Sequence, residues 1–385
     1  MAQYTIKTLS KDNEYYTFPQ ISGEKVVWNE KNQDKSRIFL DDGNKTTEIK
    51  SASAYNPSPP LISGNNVVWL GFDSDNNQQL FMYNGEKTVR LTDGEDNTPL
   101  GLSQISGDNI VWGSNPGNRG YKNSDIYLYD GKKIIQLTND DVYDSSPRIS
   151  GDRVVWKGGS FASNSEIYLY DGKKITQLTD DNVFDSSPKI SGNNIVWQSG
   201  TYEQRLFFYD GRKTIQISDS RSLNVSHQIS GNNVVWQRID SNSKSEIFLF
   251  NGEETIQLTN DNVYDSSPKI SGRNIVWAGG SGKNREEIYL DSEIFFYNGS
   301  EIIQLTDNDV PDLYPAIDGN KIVWQRFEQS ETGKPSISVM LATLNDTKSS
   351  SKPQSDRPTQ IMNTSAIAIF GLTFIYLLKK LIVNS

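Results

Sequence analysis

Every tryptophan in this chain occupies the same place in one recurring phrase, Ile-Ser-Gly-x-x-(Val/Ile)-Val-Trp, with Asp318 standing for Ser in the last copy. The eight residues Trp28, Trp69, Trp112, Trp156, Trp197, Trp236, Trp277 and Trp324 follow one another at intervals of 39 to 47 residues. A period of about 40–45 residues, each holding several short strand signals, marks a β-propeller blade. A tryptophan closing a buried strand is expected to fill the wedge between adjacent blades, since its large apolar area dominates such packing. That is the simpler reading than eight sugar-stacking platforms.

One copy shows the unit. Pro147–Ser150 reads as a short first strand, Gly151-Asp152 as a turn, and Val154-Val155-Trp156 as a second strand covered on both faces. A variable polar loop leads to Ile167–Tyr170, which alternates as a third strand. Asp171-Gly172 signals a two-residue hairpin, and Lys174–Thr179 is the fourth strand. The last copy offers a third strand near Ser336–Leu344 and no fourth. Tyr4–Ser10 matches the fourth-strand pattern at the other end, so the opening segment is expected to complete the last blade and leave no sheet edge open. The count is an all-β propeller of eight four-stranded antiparallel blades over residues 1–344; seven blades with one displaced repeat is the alternative.

The run from Leu-Thr through Asp-x-x-Pro-x-Ile-Ser-Gly to Ile-Tyr-Leu-Tyr-Asp-Gly resembles the WD-like propeller repeat of TolB-type proteins. The opening Asp of that repeat corresponds to Asp144, Asp185, Asp265 and Asp312, each three residues before a Pro. The resemblance covers residues 4–344 and implies a propeller. It implies little about activity, because the same repeat serves scaffolds, peptidase gates and a few lyases. Asp144, Asp185, Asp265 and Asp312 are therefore expected to be structural, like the tryptophans.

Chemistry is sparse. A net charge of −10 without a dense Lys/Arg stripe argues against nucleic acid. No cysteine is present, which excludes disulfides and thiolate metal sites. The single histidine, His227, stands where sibling repeats carry Pro, and no Gly-x-Ser-x-Gly elbow accompanies it. It is expected to be a loop residue with a satisfied ring. Multi-histidine metal centres are excluded. Segments such as Thr138–Asp144, Thr179–Asp185 and Thr259–Asp265 are dense in oxygen ligands. The simpler reading is that their Asp and Asn side chains hold turns, so no cofactor is expected; weak calcium binding is the alternative.

The loops between second and third strands vary in length and carry aromatics. Tyr121, Phe161, Tyr202 and Phe327 are the candidate binding residues, on the expectation that they are exposed anchors. Residues 345–364 read as a flexible polar linker, and 365–383 as an apolar helix able to anchor the chain in a membrane. The order of tether, apolar helix and basic residues is similar to bacterial C-terminal surface-sorting tails. Lys379-Lys380 would place the propeller outside, whereas the start, Met1–Lys7, lacks an export run, so the side of the membrane stays open. The combined expectation is a non-catalytic scaffold, not an enzyme, that binds protein or glycan through its loop-bearing face. The alternative is a carbohydrate-active enzyme using carboxylates in the central channel.

Overall fold

The structure is a computed structural model. It describes residues 4–13, 18–32, 35–50, 57–94, 98–101, 104–115, 123–159, 164–201, 204–219, 222–261, 263–280, 291–329, 333 and 335–345. Residues 1–344 form one compact unit. The linker beyond Asn345 and the expected helix at 365–383 lie outside the described residues. Among the described residues there is no helix, and hence none long and apolar enough to cross a membrane. The membrane-helix reading thus gains no support.

Among the described residues thirty-two strands make eight four-stranded antiparallel sheets, one per repeat. In the fourth blade the strands are Asp144–Ser150, Arg153–Gly158, Glu166–Tyr170 and Ile175–Gln177, from the inner strand outward. The eighth blade is completed from the start of the chain: Tyr4–Asn13 pairs antiparallel with Pro335–Leu344, with Ile6 opposite Ala342 and Thr8 opposite Met340. Ring closure by the first strand therefore settles the count at eight.

Two local readings are corrected. The inner strand starts at Asp144, three residues before Pro147, because the strand absorbs the proline in a bulge between Ser145 and Arg148. Ser146 takes φ of 56° there, and Ser187, Ser226, Ser267 and Tyr314 repeat it at 54–56°. A proline has no N–H to donate, and a bulge leaves one residue unpaired, so the two coincide. The outer hairpin is longer than the expected two residues. Tyr170 pairs with Ile175 across four loop residues, and the Asp171 carboxylate accepts the backbone N–H groups of Lys173 and Lys174, both at 2.9 Å. Asp171 thus caps the loop as an Asx turn.

The core lies between blades. Val154 and Trp156 of the fourth blade pack with Val111, Ile126 and Leu128 of the third. All eight tryptophans are at most 2% exposed. Seven lie stacked on the aromatic residue directly opposite in the third strand, such as Trp156 on Tyr168 at 5.9 Å between ring centroids. In the eighth blade the partner opposite Trp324 is Met340.

The Ser-Gly of the repeated phrase latches one blade to the next. The Gly N–H of each turn donates to the Ser hydroxyl of the preceding blade: Gly64 to Ser22, Gly107 to Ser63, Gly151 to Ser106, Gly192 to Ser150, Gly231 to Ser191, Gly272 to Ser230 and Gly319 to Ser271, all at 2.8–3.0 Å. The Gly carbonyl is gripped as well, by the amides of Asn66, Asn109, Asn194, Asn233 and Asn274 of the preceding blade at 2.9–3.0 Å. At the seam Gly23 N–H donates to Asp318 Oδ2 at 2.7 Å. The one departure from Ser in the phrase therefore sits at the joint between the last blade and the first, where a carboxylate gives the stronger acceptor.

Candidate functional site in the central channel

Inner strands line the axis of a propeller, so a residue at one register position recurs around the channel as a layer. The position two before the phrase Ser (Asp318 in the last copy) reads Gln20, Leu61, Gln104, Arg148, Lys189, Gln228, Lys269 and Ala316. This layer holds three cations and no carboxylate, in a chain whose net charge is −10. The cations come from blades four, five and seven. Each is partly buried. Among the described residues no ion pair reaches any of them, and the Arg148 Nε is buried without a partner. Its Nη1 donates to the Pro147 carbonyl at 2.8 Å.

Electrostatics records the strain. Burial, then the charges of Arg148 and Lys269, push the Lys189 ammonium down to about 7 from its usual 10.5. Burial and then Arg148 lower Lys269, and burial lowers Arg148. His227, in the bulge position of blade six, is 3% exposed and its Nε2 meets the Ser187 carbonyl at 2.8 Å. Burial, then Lys189, drives its pKa down to about 3, so the ring is neutral near pH 7. The expected loop residue is thus a strand residue, Leu223–Ser230, with a ring nitrogen satisfied by backbone. Among the described residues no serine hydroxyl or carboxylate bonds to it.

A lysine with a depressed folded pKa binds fewer protons folded than unfolded between pH 7 and 10.5, so its contribution to stability falls as pH drops through that window. Lys189→Met should therefore unfold at higher urea than the parent near pH 7, by roughly 2 kcal/mol. The gap should shrink as pH rises toward 10.5. A gap independent of pH would show that Lys189 carries no such penalty.

The other sequence candidates fall elsewhere. Phe327 is 6% exposed and packs in the core with Leu305, Leu313 and Ile337, so its reading as an exposed anchor is corrected. Its strand, Lys321–Gln329, runs on past Trp324 where a loop was expected, and carries Phe327 inward. Tyr121, Phe161 and Tyr202 lie outside the described residues. Asp144, Asp265 and Asp312 accept the Nε1–H of Trp156, Trp277 and Trp324 at 3.1, 2.8 and 2.8 Å. Asp185 is 1% exposed at the equivalent place. Sequence reading missed the channel cations. A signal was present: the residue before Ile-Ser varies among Gln, Lys, Arg and Leu, and in the seven Ser copies is never acidic.

No family model matches the chain, and no curated protein does. Solved structures do. The β-propeller domain of the Trilobed protease from Pyrococcus furiosus superposes with a TM-score of 0.50 at 20% identity, over 63% of this chain and 84% of that one. It is described as having an open velcro topology, whereas here the first strand closes the ring. An acylaminoacyl peptidase from Pyrococcus horikoshii gives 0.52 at 11% identity, over 81% of this chain and 57% of its own. A prolyl endopeptidase gives 0.55 at 12% identity, over 88% and 54%. The chain thus spans little more than half the length of these two peptidases. The likeness is one of fold.

These neighbours overturn two expectations. The propellers this chain matches belong to peptidases, so the non-catalytic scaffold for protein or glycan is withdrawn, and with it the expectation that the chain stands outside enzymes. The glycan-enzyme alternative is withdrawn with them.

Proposed function

We propose that this chain is a peptidase-related propeller whose channel receives peptides by their carboxylate groups, the C-terminal carboxylate foremost. The observation that carries the reading is the set of three basic side chains, Arg148, Lys189 and Lys269, in one channel layer without an acid, none of them in an ion pair among the described residues. Burying like charges together costs stability and needs a compensating gain. A ligand carboxylate supplies one, through charge-assisted hydrogen bonds to ammonium and guanidinium groups. The three glutamines of the same layer, Gln20, Gln104 and Gln228, add neutral donors and acceptors suited to peptide amides. Support for peptides as the ligand class comes from the peptidase propellers that share the fold, and from the repeat's use in peptidase gates.

The test is fluorescence anisotropy with one labelled peptide in two forms, free acid and C-terminal amide. A charge-assisted bond is worth about 1.5–3 kcal/mol, so the amide should bind about 10- to 100-fold more weakly. Joint replacement of Arg148, Lys189 and Lys269 by Gln should erase the difference, and added salt should narrow it. Equal binding of the two forms, or a variant that still discriminates, would refute the proposal.

A further inference from the structure

Among the described residues, three junctions between blades each bring three carboxylates together. Each group takes one residue from the start of a third strand, one from the loop that follows the outer strand, and one from the start of the next inner strand. The groups are Asp125, Asp140 and Asp144; Glu166, Asp181 and Asp185; and Glu246, Asp261 and Asp265. In each, one oxygen from every residue lies within 4.8 Å of the other two. The strand members are 1–8% exposed and the loop member is exposed.

The second observation is what these carboxylates lack. Asp144 Oδ2, Glu166 Oε2, both oxygens of Asp185 and Asp265 Oδ2 are buried with no hydrogen bond of normal geometry. The hydroxyls of Thr138, of Thr179 and Ser199, and of Thr259 come near enough to Asp144, Asp185 and Asp265 only to favour their charged forms weakly against burial. Among the described residues no Lys or Arg forms an ion pair with any of the nine. Buried carboxylates are otherwise paired or hydrogen-bonded. The junction between blades seven and eight is an internal control. There the equivalent residues are Glu293, Asn308 and Asp312, with an amide in place of the loop carboxylate. Asn308 Nδ2 donates to Glu293 Oε2 at 3.2 Å and to Asp312 Oδ2 at 2.9 Å. Arg326 adds a bidentate pair to Asp312, with Nε–Oδ1 and Nη2–Oδ2 both at 2.9 Å. Between blades five and six the set is Arg205, Ser220 and Asn224, with no carboxylate. Where the loop acid is replaced by Asn308, an arginine forms a bidentate pair with the buried Asp312; among the described residues no such pair is formed at the three-acid junctions, where Lys244 acts on Glu246 only through its charge.

We infer that each three-carboxylate junction binds a hard divalent cation, with calcium the ion that fits, and that the bound ion ties successive blades together. The donor set is oxygen only, which suits calcium, magnesium or manganese and not zinc or copper. Calcium accepts six to eight oxygens in flexible geometry, including bidentate carboxylates, whereas magnesium demands a near-ideal octahedron and keeps its waters. The loop aspartates already accept one turn N–H each, from Val142, Val183 and Val263 at 2.8–2.9 Å. That bond uses Oδ1 alone and would survive replacement by Asn.

The test compares the full chain with Asp140→Asn, Asp181→Asn and Asp261→Asn, first in chelator and then in calcium. Isothermal titration of the parent should give three calcium ions per chain, and each single variant two. Thermal unfolding should cross over. In chelator each variant should melt above the parent, since one repelling charge is gone; in millimolar calcium it should melt below it. Asn308→Asp combined with Arg326→Gln should add a fourth ion. Binding that persists unchanged in the triple variant, or no calcium-dependent rise in melting temperature, would overturn the inference. A larger response to magnesium than to calcium would overturn the choice of ion.

Discussion

Replacing Trp277 with alanine is expected to cost about 3–5 kcal/mol of folding free energy, read from urea unfolding followed by circular dichroism. The indole is 1% exposed, stacks on Phe295 at 5.9 Å and donates its Nε1–H to Asp265 at 2.8 Å. Truncation removes a wedge between blades and also strips a buried carboxylate of its donor. Phenylalanine separates the two terms. At Trp69 the Nε1–H is buried without a partner, because the position of the opening Asp is Pro57 in that blade. Trp69→Phe should therefore be milder than Trp277→Phe by about 1–2 kcal/mol. Equal costs would mean that the aspartate contributes nothing to holding the indole.

Arg326→Leu should be comparably severe, at about 3–5 kcal/mol, because it leaves the fully buried Asp312 carboxyl without its cationic partner, beside Glu293. Arg326→Lys should recover part of the loss, since an ammonium keeps the charge but not the two parallel bonds. A cost below about 1 kcal/mol for Arg326→Leu would show that Asn308 alone satisfies the pair.

The ring was legible in the sequence because two signals reinforce each other. Trp156 and its siblings mark the period, and the Asp-Gly or Asn-Gly pairs locate the outer hairpin of seven blades. The match of Tyr4–Ser10 to a fourth strand was enough to place the closure. What stayed hidden depends on neighbouring blades meeting in space. The Ser150 hydroxyl reads as part of a turn until Gly192 of the next blade is set against it. Asp125, Asp140 and Asp144 belong to two sheets and a loop, so no spacing rule gathers them. Phe327 misled for a related reason: the same loop position is exposed or buried according to how far its strand continues, and length alone does not tell. The Arg148, Lys189 and Lys269 layer lay in plain view as a column of the repeat, but unpaired charge is a property of surroundings.

The claim on which the functional reading rests is that peptide carboxylates are held on the channel side of the inner strands. A peptide with a photo-reactive group next to its free C-terminus, irradiated with the full chain and mapped by mass spectrometry, tests it directly. Adducts are predicted on the inner strands around Arg148, Lys189 and Lys269, and they should vanish with the amidated peptide. Adducts confined to outer strands or outer hairpins, with the inner strands unlabelled, would contradict the account.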